Sequence, residues 1–192
     1  MKCKTLFYCV LVSFLCWLLP FLIRIFFVNM PDVPSEQLDV HSSPIIQLID
    51  DIIQLLNEGN RKDAFVLIFI NNIKGCLLNI VGGVVLGLGT FFNLVFNGFG
   101  SADMFVASYE AGLSINEILK ATLPHSFELL GFWLSGGMGF YFAWSIIQFI
   151  RKNESFSSHF YKQMGVCAII VFILILSAAY VEAYISTSIS LE

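Results

Sequence analysis

Polar side chains stand inside long apolar segments of this chain, and their chemistry needs the first explanation. The candidate cluster comprises Asn71, Asn72, Asn97, His125, Glu128 and Glu182. A charge at the centre of a bilayer costs about 2.5–3.5 kcal/mol on insertion scales, so such groups usually face the inside of a helix bundle and pair there. We therefore treat this polar intramembrane cluster as the candidate functional site.

Three kinds of chemistry suit the ionisable members of this cluster. His125 and Glu128 lie three residues apart, which places them on one helix face. Pro124 suits the first helical turn, where the helix dipole favours a carboxylate. A hydrogen-bonded clasp between helices is the favoured interpretation, and proton or ion handling is the second. A zinc site is disfavoured because there is no second His at helical spacing, and we predict no metal and no cofactor.

Catalytic motifs are not found. Ser126 is next to His125, but adjacent residues on a helix do not face each other. The pairs Gly82-Gly83 and Gly136-Gly137 lie within apolar segments and lack the flanking residues of a phosphate-binding loop. The sequence therefore predicts a protein that is not an enzyme.

Composition places these residues in a membrane protein. The 192 residues are 57% hydrophobic and 12% charged, whereas average globular chains carry about 25% charged residues. The length allows four or five membrane crossings. The net charge of −4 disfavours nucleic-acid binding, and the five Cys residues suit small buried hydrophobes better than metal or redox sites.

The first two segments are predicted to be a membrane helix and an acidic extramembrane segment. Residues 1–28 form a retained transmembrane helix, because the apolar run is longer than that of a signal peptide. Residues 29–63 contain an amphipathic helix at about 44–60, which is too short and too charged to cross. Its apolar face is the candidate docking surface for a partner, although packing on the protein's own membrane domain or at the lipid interface is favoured. The docking residues are Ile45, Ile49, Ile52 and Leu56.

The membrane domain is predicted at residues 64–192. We expect one helix over about 60–99, kinked at Gly82-Gly83 and crossing at about 75–96. Residues 99–122 carry too many charges for an ordinary span and predict two short helices, near 102–111 and 115–122, the second capped by Ser114. They form either a re-entrant hairpin or an interfacial pair. Helices at about 124–150 and 164–185 follow, and Gly131, Ser135 and Gly139 give the first a small-residue stripe.

The fold class is therefore an all-α integral membrane protein with four to five transmembrane helices. Charge does not decide the number of crossings. With four crossings and the N-terminus inside, more Lys and Arg residues would lie outside than inside, against the positive-inside rule. Five crossings match the rule better but require a charged span within residues 99–122.

The same residues resemble the stage II sporulation protein M family. Four blocks occur in the family's order between about residues 63 and 186: Phe69-Ile70-Asn71-Asn72, Gly83 to Gly89 leading into Asn97-Gly98-Phe99-Gly100, Leu123-Pro124-His125-Ser126-Phe127-Glu128, and Ala178-Ala179-Tyr180-Val181-Glu182-Ala183-Tyr184. The family usually has Pro-His-Gly where this chain has Pro124-His125-Ser126. It often has Thr-Pro where this chain has Ser186-Thr187.

The resemblance implies a multi-pass protein of the bacterial cytoplasmic membrane. The founding member acts in endospore engulfment as an anchor for cell-wall-degrading partners, and relatives occur with circular bacteriocin systems. We therefore expect a scaffold or complex subunit in cell-envelope processes, in contact with the lipid bilayer and protein partners; homo-oligomerisation is left open. The alternative is a permease, export or immunity subunit with a polar intramembrane cavity.

Overall fold

The described part of the chain consists of helices joined by short turns. A computed structural model describes residues 2–27, 51–52, 54–110, 112–122, 125–153 and 155–186, without the side chains of residues 2, 3, 120–122, 125 and 186. The long helices are α1 (Lys2–Phe27), α2 (Arg61–Gly82), α3 (Leu88–Glu110), α5 (His125–Lys152) and α6 (Ser158–Val181). The shorter elements are a 3₁₀ turn (Gly83–Val85), α4 (Ile115–Thr122) and a π-helical turn (Glu182–Ser186).

Four of these helices are long and apolar enough to cross a membrane. Their spans are Lys4–Phe27, Arg61–Val85, Ser126–Lys152 and Ser158–Ile185. Half of the α5 span is buried, against 17–28% of the other three, so α5 is the central helix. The all-α membrane fold predicted from the sequence is confirmed.

A tight hairpin joins α2 to α3, and the continuous helix expected over 60–99 is wrong. The helix ends at Gly82, and Leu86 and Gly87 then adopt positive φ values of 52° and 84°, which reverse the chain. Glycine takes such a conformation without the steric cost of a Cβ atom. Gly82 and Gly89 face each other across the turn so closely that a Cβ on either would meet the other's backbone. The glycine run therefore makes a reversal, and the crossing expected at 75–96 is replaced by two antiparallel helices.

The helix–turn–helix expected over 99–122 is present, but its first helix is the end of the longer α3. Gly112 has a φ of 92°, and the amide of Leu113 donates to the Ser108 carbonyl at 3.2 Å, which closes a Schellman motif. Ser114 then begins α4 with the expected capping box. The Ser114 amide donates to Glu117 Oε2 at 2.8 Å, and the Glu117 amide donates to Ser114 Oγ at 3.3 Å.

Contacts along the helices set their directions. Two contacts at different heights fix the direction of each helix relative to α5. For α1 the contacts are Val10 with Gly137 and Trp17 with Trp133; for α2 they are Gly75 with Phe132 and Gly83 with Gly139. For α6 they are Ile175 with Gly131 and Gln163 with Tyr141. The helix α5 is therefore antiparallel to α1 and α6 and parallel to α2. The helix α3 runs parallel to α1, because Gly98 lies against the Trp17 backbone and Asp103 pairs with Arg24 one to two turns further along.

These directions give the two ends of the bundle different net charges. We call one side the basic end, where α1 and α6 begin and α5 finishes; it carries Lys4, Arg151, Lys152 and Lys162. The opposite side is the acidic end, where α2 and α5 begin and α3 and α6 finish. Its acidic side chains are Asp63, Asp103, Glu110, Glu117, Glu128 and Glu182, which outnumber the basic residues Arg24, Arg61, Lys62 and Lys120 at the same end.

Candidate functional site

A hydrogen-bonded network lies at the centre of the bundle, where α2, α3 and α5 meet. Asn79 of α2 is fully buried, and its amide donates to the Ser135 hydroxyl of α5 at 3.0 Å. The amide of Asn93 in α3 donates to Asn79 Oδ1 at 2.8 Å. The Thr90 hydroxyl donates to the Asn79 backbone carbonyl at 2.7 Å. We call these four residues the Asn79 network.

Backbone carbonyls complete the partners of this network. The Asn79 amide reaches the Phe132 carbonyl at 3.3 Å, and the Ser135 hydroxyl donates to the same carbonyl at 2.8 Å. The second hydrogen of the Asn93 amide goes to the Gly75 carbonyl at 3.1 Å. A buried amide without partners is costly in an apolar medium, so a satisfied set of this kind fixes the relative position of three helices.

Glycines let the same three helices approach until their backbones touch. A Cβ atom at Gly139 would collide with the Asn79 carbonyl and the Thr90 side chain, and one at Gly83 would collide with the Gly139 carbonyl. A Cβ at Gly131 would lie 3.0 Å from Cδ1 of Ile175 in α6. The small-residue stripe predicted on α5 thus packs against α2 and α3 on one side and α6 on the other.

Of the three predicted asparagines, one is connected to this network and two lie apart from it. Asn72 is buried, whereas Asn71 is exposed and donates to Asn72 Oδ1 at 3.4 Å. Asn97 is also exposed, and its amide donates to the Asn93 carbonyl one turn earlier at 2.8 Å. Asn97 therefore joins the Asn79 network through Asn93, and Asn71 and Asn72 form a separate pair on α2.

The predicted ionisable residues lie near the acidic end. Glu128 and Glu182 are half-buried and both have interaction partners. His125 is the first residue of α5, and its side chain lies outside the description. Glu182 opens the π-helical turn that ends α6. Such turns occur often at functional sites, so the carboxylates remain a second candidate for function.

The alanines beside Glu182 pack against α2, because their small side chains let that helix approach closely. Ala179 and Ala183 are fully buried and pack against Ile68, with Phe65 and Tyr184 around them. The rings of Phe65 and Tyr184 are 6.3 Å apart. The two helices therefore meet closely at the acidic end, near Asn72.

Asn79 and Asn93, at the centre of the network, are not among the residues predicted from the sequence. Asn79 and Asn93 are single polar residues within apolar runs, and the rule that selected Asn97 applies to them equally. Neither stands beside a second polar or helix-breaking residue, which is the feature that distinguishes Asn71-Asn72 and Asn97-Gly98. A search for every amide within a predicted span would have found both.

The amphipathic segment uses part of its apolar face within the molecule. Residues 51–52 and 54–57 are helical, and Ile52 packs against the cluster formed by Ile68, Ala179 and Ala183. Leu56 is half-buried, and Gly59, with a φ of 76°, ends the helix as expected. The other two docking residues, Ile45 and Ile49, lie outside the described residues.

Three buried polar atoms at the α1–α5 contact have no hydrogen-bond partner among the described residues. They are Ser13 Oγ, Trp17 Nε1 and Trp133 Nε1. The two indole rings are 5.3 Å apart, and Gly136 leaves the space that Ser13 Oγ occupies. Unlike the Asn79 network, this contact is held by ring packing.

The described residues contain no group of three or more His, Cys, Asp or Glu that could hold a metal ion. Amides and hydroxyls that are paired with one another do not titrate near neutral pH and offer no nucleophile–base pair. The chemistry of the Asn79 network is therefore that of a structural joint.

Comparisons with known proteins cover nearly the whole bundle. The sequence model of the family described as Stage II sporulation protein M matches residues 10–187. An uncharacterised protein of Methanocaldococcus jannaschii is 30% identical over 134 residues, which cover 68% of this chain and 75% of that protein. No solved structure matches the chain at a significant level. The family match begins within α1, well before the first of the four motif blocks.

Proposed function

Because this chain belongs to the stage II sporulation protein M family, we propose that it is a non-enzymatic scaffold or complex subunit of the bacterial cytoplasmic membrane, acting in cell-envelope processes. Its task is to hold or position protein partners. The observation that carries the proposal is the Asn79 network. Its polar side chains are hydrogen-bonded to one another at the centre of the bundle, so they hold helices together and leave a rigid frame for partners.

We further propose that the protein crosses the membrane five times. The 23-residue α3 would reach about 34 Å, which matches the hydrocarbon thickness, and it lies antiparallel to α2 and parallel to α1. Oδ1 of Asp103 in α3 lies 2.5 Å from Nε of the buried Arg24 in α1. This ion pair offsets the cost of placing the Asp103 carboxylate within a membrane-spanning helix. The positive-inside rule then favours the basic end as the cytoplasmic side, because Lys2, Lys4, Arg151, Lys152 and Lys162 lie there, against Arg24, Arg61, Lys62 and Lys120 at the other end.

The candidate docking helix offers a direct test of the scaffold. Ile49→Asp adds a charge to the face that the sequence predicts to be apolar, and the matched control Gln47→Asp adds the same charge to the face predicted to be polar. Both proteins are cross-linked in native membranes, and co-purified envelope proteins are quantified by mass spectrometry. We expect Ile49→Asp to lose the partners that Gln47→Asp retains, while both keep the melting temperature of the parent. Equal retention by both variants would contradict this use of the helix.

The half-buried Glu128 and Glu182, the latter opening a π-helical turn, favour a second candidate, a permease, export or immunity subunit. Under that function Glu128→Gln and Glu182→Gln abolish transport or protection while protein levels stay normal. Under the scaffold function the same variants either accumulate poorly or retain partner capture.

A further inference from the structure

A cleft at the basic end joins the start of α1 to the end of α5 and the start of α6. Its volume is about 490 Å³, and Lys4, Gln148, Lys152 and Ser155 contribute polar groups to its wall. Neither lysine has an acidic partner among the described residues. Anionic groups are therefore favoured in this space over neutral or cationic ones.

An apolar furrow of about 390 Å³ adjoins this cleft. Thr5 and Trp144 belong to the walls of both spaces. The furrow continues along the contact of α1 and α5 past Tyr8 and Val12. Val12 is eight residues beyond Lys4, which corresponds to about 12 Å along the helix axis. The charged cleft and the apolar furrow therefore lie at successive depths of one seam.

Aromatic side chains locate the cleft at the membrane–water interface. Trp144 in the wall of the cleft and Tyr161 at the start of α6 are exposed by 47% and 62% at this end of the bundle. Tyr and Trp are enriched at the headgroup level of bilayers, and lysines beside them extend their ammonium groups to the phosphate region.

We propose that this seam binds an anionic phospholipid. Lys4 and Lys152 hold the phosphate-bearing headgroup in the cleft, and an acyl chain lies in the furrow between α1 and α5. A free anion would occupy the cleft alone, and an acidic peptide would not enter a furrow at hydrocarbon depth. Basic pockets between membrane helices on the cytoplasmic side bind anionic headgroups for the same electrostatic reason.

Charge variants test the headgroup site. The full chain is placed in bilayer discs of mixed phosphatidylglycerol and phosphatidylcholine, and retained lipid is counted by native mass spectrometry. We expect the parent to retain phosphatidylglycerol selectively and Lys4→Gln/Lys152→Gln to hold it roughly 30-fold more weakly, at about fivefold for each lysine. The matched control Arg151→Gln/Lys162→Gln removes two charges from the same end outside the cleft and should retain the lipid. Equal loss in both double variants, or no loss in the first, overturns the proposal.

Volume variants test the acyl-chain furrow. Val12→Trp fills it from the exposed side, and Val166→Trp places the same side chain on the exposed face of α6 outside the furrow. We expect Val12→Trp to release the bound lipid and Val166→Trp to retain it, with similar melting temperatures in lipid-free detergent. Retention by Val12→Trp, or displacement of the lipid by millimolar inorganic phosphate alone, overturns the proposal.

Discussion

At the residue scale, the interior of this protein contains buried polar groups with hydrogen-bond partners and buried polar groups without them. The amides and hydroxyls of the Asn79 network have partners on three helices. Ser13, equally buried, has none among the described residues. An unpaired polar group lowers stability because its lost hydration is not replaced, whereas a paired one adds a net stabilisation of about 1 kcal/mol.

Asn79→Leu should strongly destabilise the bundle. The substitution keeps the branched shape of the side chain but replaces its polar atoms with larger methyl groups, so the Asn93 amide and the Ser135 hydroxyl lose their shared partner. We expect a loss of about 1–2 kcal/mol in the free energy of unfolding. Unfolding by denaturing detergent measures it, and Asn71→Leu on the exposed face of α2 is the control, with a change below about 0.5 kcal/mol. Equal effects of the two substitutions would mean that the network is not the central joint.

Two serine substitutions separate paired from unpaired hydroxyls. Ser135→Ala removes a bonded hydroxyl and should lower the free energy of unfolding by about 1 kcal/mol. Ser13→Ala removes an unbonded hydroxyl at the same zero exposure and should leave stability unchanged or slightly higher. Thermal unfolding of the purified protein compares them. A larger loss from Ser13→Ala would reveal a partner for its hydroxyl, such as a bound water molecule.

At the element scale, the α2–α3 hairpin depends on backbone contact. Gly87 has a positive φ, and Gly82 and Gly89 leave no space for a Cβ between the two helices. Gly139 of α5 completes the contact by lying against Asn79 and Thr90. Small residues of this kind drive helix association in membranes, because dispersion contacts and hydrogen bonds there replace the hydrophobic effect.

Gly139→Ala should therefore separate α5 from the hairpin. The added methyl group collides with the Asn79 carbonyl, which belongs to a rigid backbone, so we expect a loss of about 1–3 kcal/mol in the free energy of unfolding. Gly165→Ala on α6 is the matched control. Nothing lies within 4 Å of its added Cβ, and alanine favours a helix by about 0.5–1 kcal/mol over glycine. A stable Gly139→Ala protein would show that the backbones can move apart freely.

At the scale of the whole molecule, the decisive feature is the path of α3. Its antiparallel return along α2 places residues 57 and 116 at the acidic end and residue 155 at the basic end. Four crossings would instead put residues 57 and 155 on the same side of the membrane. The number of crossings therefore becomes measurable at three positions outside the helix contacts.

Cysteine labelling tests the five-crossing arrangement. Asn57→Cys, Asn116→Cys and Ser155→Cys are introduced singly after the native Cys residues are replaced by Ala, and intact cells are treated with a membrane-impermeant maleimide. We expect labelling at 57 and 116, and labelling at 155 only after permeabilisation. Labelling at 57 and 155 together, with 116 protected, would support four crossings.

The outer surface of the bundle carries large exposed apolar side chains that suit contact with lipid. Large apolar side chains such as Phe7, Leu77, Ile169 and Ile173 are more than half exposed on α1, α2 and α6. A water-soluble monomer rarely exposes so much contiguous apolar surface, whereas lipid tails cover it without cost. Contact with the bilayer thus accounts for residues that no helix of the bundle covers.

The sequence by itself determined the features that depend on local chemistry. The all-α membrane class follows from the cost of placing charges in lipid, and the start of α4 after Ser114 follows from capping groups within a few residues. The tertiary structure alone decided that the glycine run reverses the chain and that Asn79 and Ser135 meet across 56 residues. Those outcomes depend on close approach between distant backbones, and hydropathy and spacing along one helix carry no information about which distant backbone will supply the partner.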